Sequence, residues 1–130
     1  MIKNENPKYY SGMIELGFNL IDFAPNLEDL YARTKISIVP MLSGTGIKIK
    51  TISSMAYGIP VVATELGVDG FEDKTENGCL VSNNPQTFAH SIIKLLSDNN
   101  FYNETITQKN IYPNVLKVLL HKLIKILKSF

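Results

Sequence analysis

The chain has 130 residues, with 13 basic and 12 acidic side chains and a formal net charge of +1. That length holds one ordinary domain. A hydrophobic fraction of 45% supplies a packed core, and the charge balance excludes a global attraction to nucleic acid or another polyanion, so any anion has to be held locally. The single cysteine, Cys79, excludes an internal disulfide and a cysteine-based metal cluster. In the apolar run Cys79-Leu80-Val81 it reads as a small buried hydrophobe rather than a reactive thiol. Residues 1–6 lack the apolar core of a signal peptide, and no apolar run approaches the about 20 residues that span a bilayer. A soluble, cytoplasmic protein is therefore expected.

Residues 1–12 are polar with Pro7 and Gly12, and are expected to form a weakly ordered lead-in. Phe18 to Phe23 comes next as a strand candidate closed by Ala24-Pro25. Asn26 then has the character of a helix N-cap, with Glu28 and Asp29 in the first turn, Arg33 and Lys35 at the far end, and Leu27, Leu30 and Tyr31 on one face. Ile36 to Pro40 is rich in β-branched residues and reads as a second strand. After the loop Met41 to Gly46 a helix is expected from about Ile47 to Tyr57, with Gly58 ending it and Pro60 preventing its continuation. Pro60 to Thr64 is apolar on consecutive positions, as a parallel strand covered on both faces should be. Gly67 to Phe71 makes a loop, and Asn77-Gly78 turns into a fourth strand, Cys79 to Val81. Asn84 and Pro85 start the next helix, whose expected buried face is Phe88, Ala89, Ile92, Ile93 and Leu96, and Asp98-Asn99-Asn100 ends it. After a polar stretch, a last helix spans about residues 114–128. Strands alternating with helices in this way predict an α/β, Rossmann-like three-layer domain with a short parallel sheet of about four strands flanked by helices.

In such sheets ligands bind outside the carboxyl ends of the strands, where loops enter helix N-termini. The loop Ser43-Gly44-Thr45-Gly46 stands in that place, and its glycines let backbone N–H groups approach a bound group. Glycine loops that only turn a corner have the same form, so the charges matter. The helix after Asn26 begins with acids and ends with bases, as the helix dipole favours, whereas the helix after Gly46 carries Lys48 and Lys50 in its first turns and no acid. Each cation there costs roughly 0.3–1 kcal/mol, which an anion such as a diphosphate between the lysines and the free N–H groups would offset. Two solvated lysines with a tolerated cost are the alternative. Ser43 and Thr45 are either further donors to the same oxygens or ordinary loop residues.

These residues resemble the group-1 (family 4) glycosyltransferases of the GT-B architecture. The resemblance rests on Gly44-Thr45-Gly46-Ile47-Lys48-Ile49-Lys50, on Ala56-Tyr57-Gly58-Ile59-Pro60-Val61-Val62-Ala63-Thr64, and then on Gly67-Val68-Asp69-Gly70-Phe71 and Asn77 to Val81. It covers roughly residues 18–97. It implies the C-terminal, donor-binding half of a GT-B fold, one partial domain over residues 1–130 that binds a nucleoside diphosphate sugar and transfers the sugar once an N-terminal acceptor domain completes it. It also implies that the backbone of Gly44 to Gly46 with Lys48 or Lys50 holds the diphosphate, and that the Asp69-Gly70 loop lies near the sugar or phosphates. The family's paired glutamates fall at Thr45 and Ser53, so a serine stands where the ribose is usually held by a carboxylate. A hydroxyl gives a bond only about half as strong as a charge-assisted one, which leaves a non-catalytic binding module or degenerate remnant as the alternative.

No cofactor or metal is implied, because the nucleotide-sugar is itself the donor substrate. His90, within a packing helix, and His121, among the C-terminal lysines, are not convincing catalytic groups. For the C-terminal helix, packing on the domain's own sheet, homodimerisation and peripheral contact with an anionic inner membrane face all stay open. The base, sugar, acceptor and stereochemical outcome are not legible.

Overall fold

A computed structural model describes residues 6–45, 48–70, 78–107 and 123–129. It divides into two compact units, Met1–Leu30 and Tyr31–Phe130.

The first unit corrects the sequence reading twice. Helix α1, Pro7–Glu15, replaces the expected weakly ordered lead-in. Asn6 accepts a hydrogen bond from the Tyr9 N–H, and Pro7 occupies the first helical position, where its missing donor costs nothing. Gly17, at φ +86°, closes the helix with bonds from the Gly17 N–H to the Ile14 carbonyl and from the Phe18 N–H to the Met13 carbonyl, a Schellman ending. The signal was present in Asn6-Pro7, which has the same chemistry as Asn84-Pro85. The second correction is Phe18–Phe23, which forms no strand. An extended segment becomes a strand only through a backbone partner, and the described residues of the first unit contain no sheet. Phe18, Ile21 and Phe23 are exposed. Among the described residues the sheet accordingly has three strands rather than about four.

Helix α2, Leu27–Ala32, forms where expected, with the Asn26 Oδ1 accepting from the Glu28 and Asp29 N–H groups. Strand β1, Ser37–Val39, leads through the glycine loop to helix α3, Ile49–Ala56, and back to β2, Val61–Ala63. A short 3-10 turn, Leu66–Val68, comes next, and β3, Cys79–Val81, completes a parallel sheet of order β1-β2-β3. The register pairs Ser37 with Val61 and Val61 with Cys79.

Successive strand residues point to opposite faces. Val61, Ala63, Val39 and Cys79 join Ile52 and Met55 of α3 and Val68 of the turn in one core. Val62 points the other way and is also fully buried, and helix α4, Pro85–Ser97, packs on β2. The run Val61-Val62-Ala63 is thus apolar throughout because both of its faces are covered. Burial of Cys79 agrees with its reading as a small hydrophobe.

Helix α3 ends in a second Schellman closure, with bonds from the Gly58 N–H to the Met55 carbonyl and from the Ile59 N–H to the Ser54 carbonyl. Gly58 has φ +69° and open space where a Cβ would stand. Gly58→Ala is therefore expected to cost about 1 kcal/mol through backbone strain alone, read as a lower urea midpoint at unchanged slope. An unchanged midpoint would remove the left-handed cap from the account of this helix end. Beside it, Tyr57 stacks on Tyr31 with ring centroids 4.8 Å apart.

The buried stripe of α4 differs from the expected one. Asn84 caps the helix through the Thr87 N–H as predicted. Phe88, Ser91, Ile92 and Leu95 turn inward, whereas Ile93 and Leu96 are 61% and 53% exposed and Ala89 is exposed too. Asp98 ends α4 as its C-cap residue, as expected. Its Oδ1 accepts from the Phe101 N–H and starts an unforeseen helix α5, Asn99–Thr107. Tyr102 of α5 donates its hydroxyl to the Lys35 carbonyl at 3.0 Å, with the Lys35 ammonium 5.3 Å from its ring centroid. Burial pushes the Tyr102 phenol above its ordinary pKa. Of the expected C-terminal helix, residues 123–128 are helical, and residues 114–122 lie outside the described residues. Among the described residues, no helix is long and apolar enough to cross a membrane.

Candidate functional site

Because the three strands are parallel, their carboxyl ends lie along one edge of the sheet. A cleft of about 450 Å³ opens there, lined by Met41 and Leu42 beyond β1, Glu65, Leu66 and Asp69 beyond β2, and Asn83 beyond β3. Each strand end contributes a wall, which is the arrangement that gives α/β sheets their ligand sites.

The walls are tied together by neutral hydrogen bonds. The Thr64 hydroxyl donates to the Met41 carbonyl at 2.6 Å and accepts from the Gly67 N–H at 3.3 Å. The Thr51 hydroxyl, in the first turn of α3, donates to the Gly67 carbonyl at 2.7 Å. Asn83 Oδ1 accepts from the Glu65 N–H at 2.9 Å, joining the walls beyond β2 and β3. Gly67 is wedged so close to β1 that a Cβ would stand 2.6 Å from the Val39 carbonyl oxygen.

The expected site residues distribute unevenly around this frame. Asp69 lines the cleft, and Gly70 succeeds it at φ +84°. Gly44, at φ +115°, leans on the cleft wall, since a Cβ there would come 3.3 Å from the Met41 Cε. Ser43 and Thr45 are exposed on the same loop, and Gly46 lies outside the described residues. Lys48 and Lys50 do not form a matched pair. Lys48 is the N-cap residue of α3 and only 4% exposed, while Lys50 is exposed in the first turn of the helix. Lys50 and Ser53 are three apart and share the outward stripe of α3.

The start of α3 differs from the other helix starts. Asn6, Asn26, Asn84 and Asp98 cap the N-termini of α1, α2, α4 and α5, whereas the N-cap residue of α3, Lys48, makes no side-chain capping bond and the first turn of α3 holds no acid. The Thr51 and Ile52 N–H groups both donate to the Lys48 carbonyl.

Met41, Leu42, Thr51, Thr64, Glu65 and Asn83 were not singled out in the sequence. The usable signal was position. Treating the residues just past every strand end as candidates, instead of only the strand that runs into glycines, points to Thr64-Glu65 and Ser82-Asn83 as well. Thr51 carried no such signal, because its partner is a backbone carbonyl 16 residues away. Among the described residues no group of His, Cys, Asp and Glu has the makings of a metal site.

Residues 4–98 match the family model described as glycosyl transferases group 1, and the chain belongs to that family. The match reaches further upstream than the residues that suggested it and takes in α1. No curated protein and no solved structure matches the chain. Membership makes glycosyl transfer the chemistry with which this domain is associated.

Proposed function

We propose that the chain is a donor-binding module for a nucleoside diphosphate sugar. The start of α3, whose N-cap residue makes no side-chain capping bond and whose Thr51 is bonded to the cleft turn at Gly67, carries this reading. The diphosphate sits on the loop Ser43 to Gly46 and the first turn of α3, with Lys50 as the accessible cation and Lys48 supplying enclosed positive charge beneath it. An anion on a helix N-terminus gains roughly 0.3–1 kcal/mol, and about 2 kcal/mol when partly buried. Ser53, one turn beyond Lys50 on the same stripe, takes the ribose, and Asp69-Gly70 directs the sugar into the cleft. Transfer of that sugar, as a hexosyltransferase would perform it, requires a separate acceptor domain to supply the remaining groups. The nucleotide-sugar serves as substrate, with no metal or other cofactor in the scheme. The setting is cytoplasmic, and the C-terminal helix serves peripheral membrane contact or self-association.

Ser53 favours a second reading, a module that holds the nucleotide without turnover, because one hydroxyl replaces a carboxylate's two acceptor oxygens. Titrating the chain with UDP, GDP and ADP by calorimetry tests the binding common to both readings, and no heat at millimolar ligand would defeat them together. With a ligand in hand, Lys50→Ala is expected to weaken the diphosphate by about tenfold, the loss of one charge-assisted bond, and to leave the nucleoside unaffected. Adding Lys48→Ala should deepen the difference. Ser53→Glu should tighten the nucleotide by about tenfold. Equal losses for nucleoside and diphosphate would take the phosphate away from the lysines.

A further inference from the structure

We infer that Thr64 is the positioning residue of the cleft, a single hydroxyl that fixes the spacing of its two main walls. The geometry is specific. Thr64 is 5% exposed and stands directly after β2. Its Oγ1–H donates to the Met41 carbonyl, on the wall beyond β1, and its lone pair accepts the Gly67 N–H, in the turn that carries Leu66 and leads to Asp69. The two bonds share one oxygen atom, one of them buried and the other partly so, and neither wall shifts without disturbing one of them. The Thr64 N–H meanwhile donates to the Val39 carbonyl, which also accepts from the Met41 N–H, so the hydroxyl itself is anchored on the last residue of β1.

The Thr51 bond to the Gly67 carbonyl extends the device to the first turn of α3. Gly67 is therefore held at its N–H by Thr64 and at its carbonyl by Thr51, which couples the anion-binding helix end to the turn bearing Asp69. A diphosphate on one and a sugar in the other must span a fixed distance, and Thr64 keeps it fixed. This inference rests on the proposed donor-binding role for the identity of the ligand, while the positioning itself stands on the hydrogen bonds.

The test uses the full chain with Thr64→Val, which keeps the shape and removes the hydroxyl, and Thr64→Ser, which restores it. Amide hydrogen exchange is followed at residues 41–45 and 65–70, with residues 61–63 as the reference for global folding. Thr64→Val is expected to accelerate exchange at both walls at least tenfold relative to that reference, and Thr64→Ser to return it to the wild-type rate. Both proteins are also titrated with UDP, GDP and ADP. Where the wild type binds, Thr64→Val should lose about tenfold in affinity for the diphosphate and Thr64→Ser should recover it. Wild-type-like exchange at both walls in Thr64→Val overturns the positioning role, as does undiminished affinity in a protein that binds. If the wild type binds none of the nucleotides, the donor-binding reading falls and the exchange result alone decides the positioning. If Thr64→Val fails to fold, Thr64→Ala and Thr64→Ser carry the comparison, and equal wall exchange in the two overturns the inference.

Discussion

Gly67→Ala is expected to lower stability by about 1–3 kcal/mol, a large cost for one methyl group. The new Cβ would stand 2.6 Å from the Val39 carbonyl oxygen, 3.1 Å from the Val39 Cγ1 and 3.2 Å from the Ala63 Cβ. None of these is the end of a flexible side chain. Two belong to strand side chains and the third is a backbone oxygen that already accepts from Met41 and Thr64. Relief requires moving the turn away from the sheet, which stretches the bonds from Thr51 and Thr64 at the same time. Gly12 offers the control, since nothing lies within 4 Å of a Cβ there. Urea unfolding of both variants separates the cases, and an unshifted midpoint for Gly67→Ala would mean that the close approach to β1 does not exist in solution. Diphosphate affinity should fall in the same variant, because Asp69 is on the displaced turn.

Leu95→Ala is expected to cost about 2–5 kcal/mol, the usual range for emptying a leucine-sized space in a core. Leu95 is fully buried, and with Phe88 and Ile92 it forms the inward stripe of α4. Ile93→Ala and Leu96→Ala, on the outward side, should each change stability by no more than about 0.5 kcal/mol. The contrast fixes the rotation of the helix. Equal costs at Leu95 and Leu96 would return α4 to the orientation read from its sequence.

That orientation shows where sequence reasoning stopped. The segment Phe88 to Leu96 carries apolar residues at more positions than one face can bury, so periodicity fixes the helix but not its rotation. Contact with β2 chooses the stripe, and that information is not local. The same division runs through the chain. Asn26, Gly58 and Asn84-Pro85 were legible because a backbone need selects the residue type at each of them, and Val61-Val62-Ala63 because cover on both faces does. Phe18 to Phe23 misled, because a strand exists only with a partner and a sequence does not name partners. Helix α5 was hidden by Asp98, whose side chain ends one helix as plausibly as it caps another. At the site, the glycine loop was singled out by its position after a strand and Asp69 by the family resemblance, and the difference between Lys48 and Lys50 was not legible. It depends on which way the chain enters α3, and both residues look alike in sequence.

Thr51, Thr64, Asn83 and the Gly67 backbone hold the mouth of this domain with uncharged groups. Mobile ions act on fields between charges and shrink their reach from about 30 Å at 0.01 M to about 3 Å at 1 M, but leave such bonds untouched. The scaffold and its cargo should therefore respond to brine in different ways. Added potassium chloride is expected to erode the grip on a polyphosphate while the melting temperature stays flat, so a salt titration weighs the lysines without disturbing the frame that presents them.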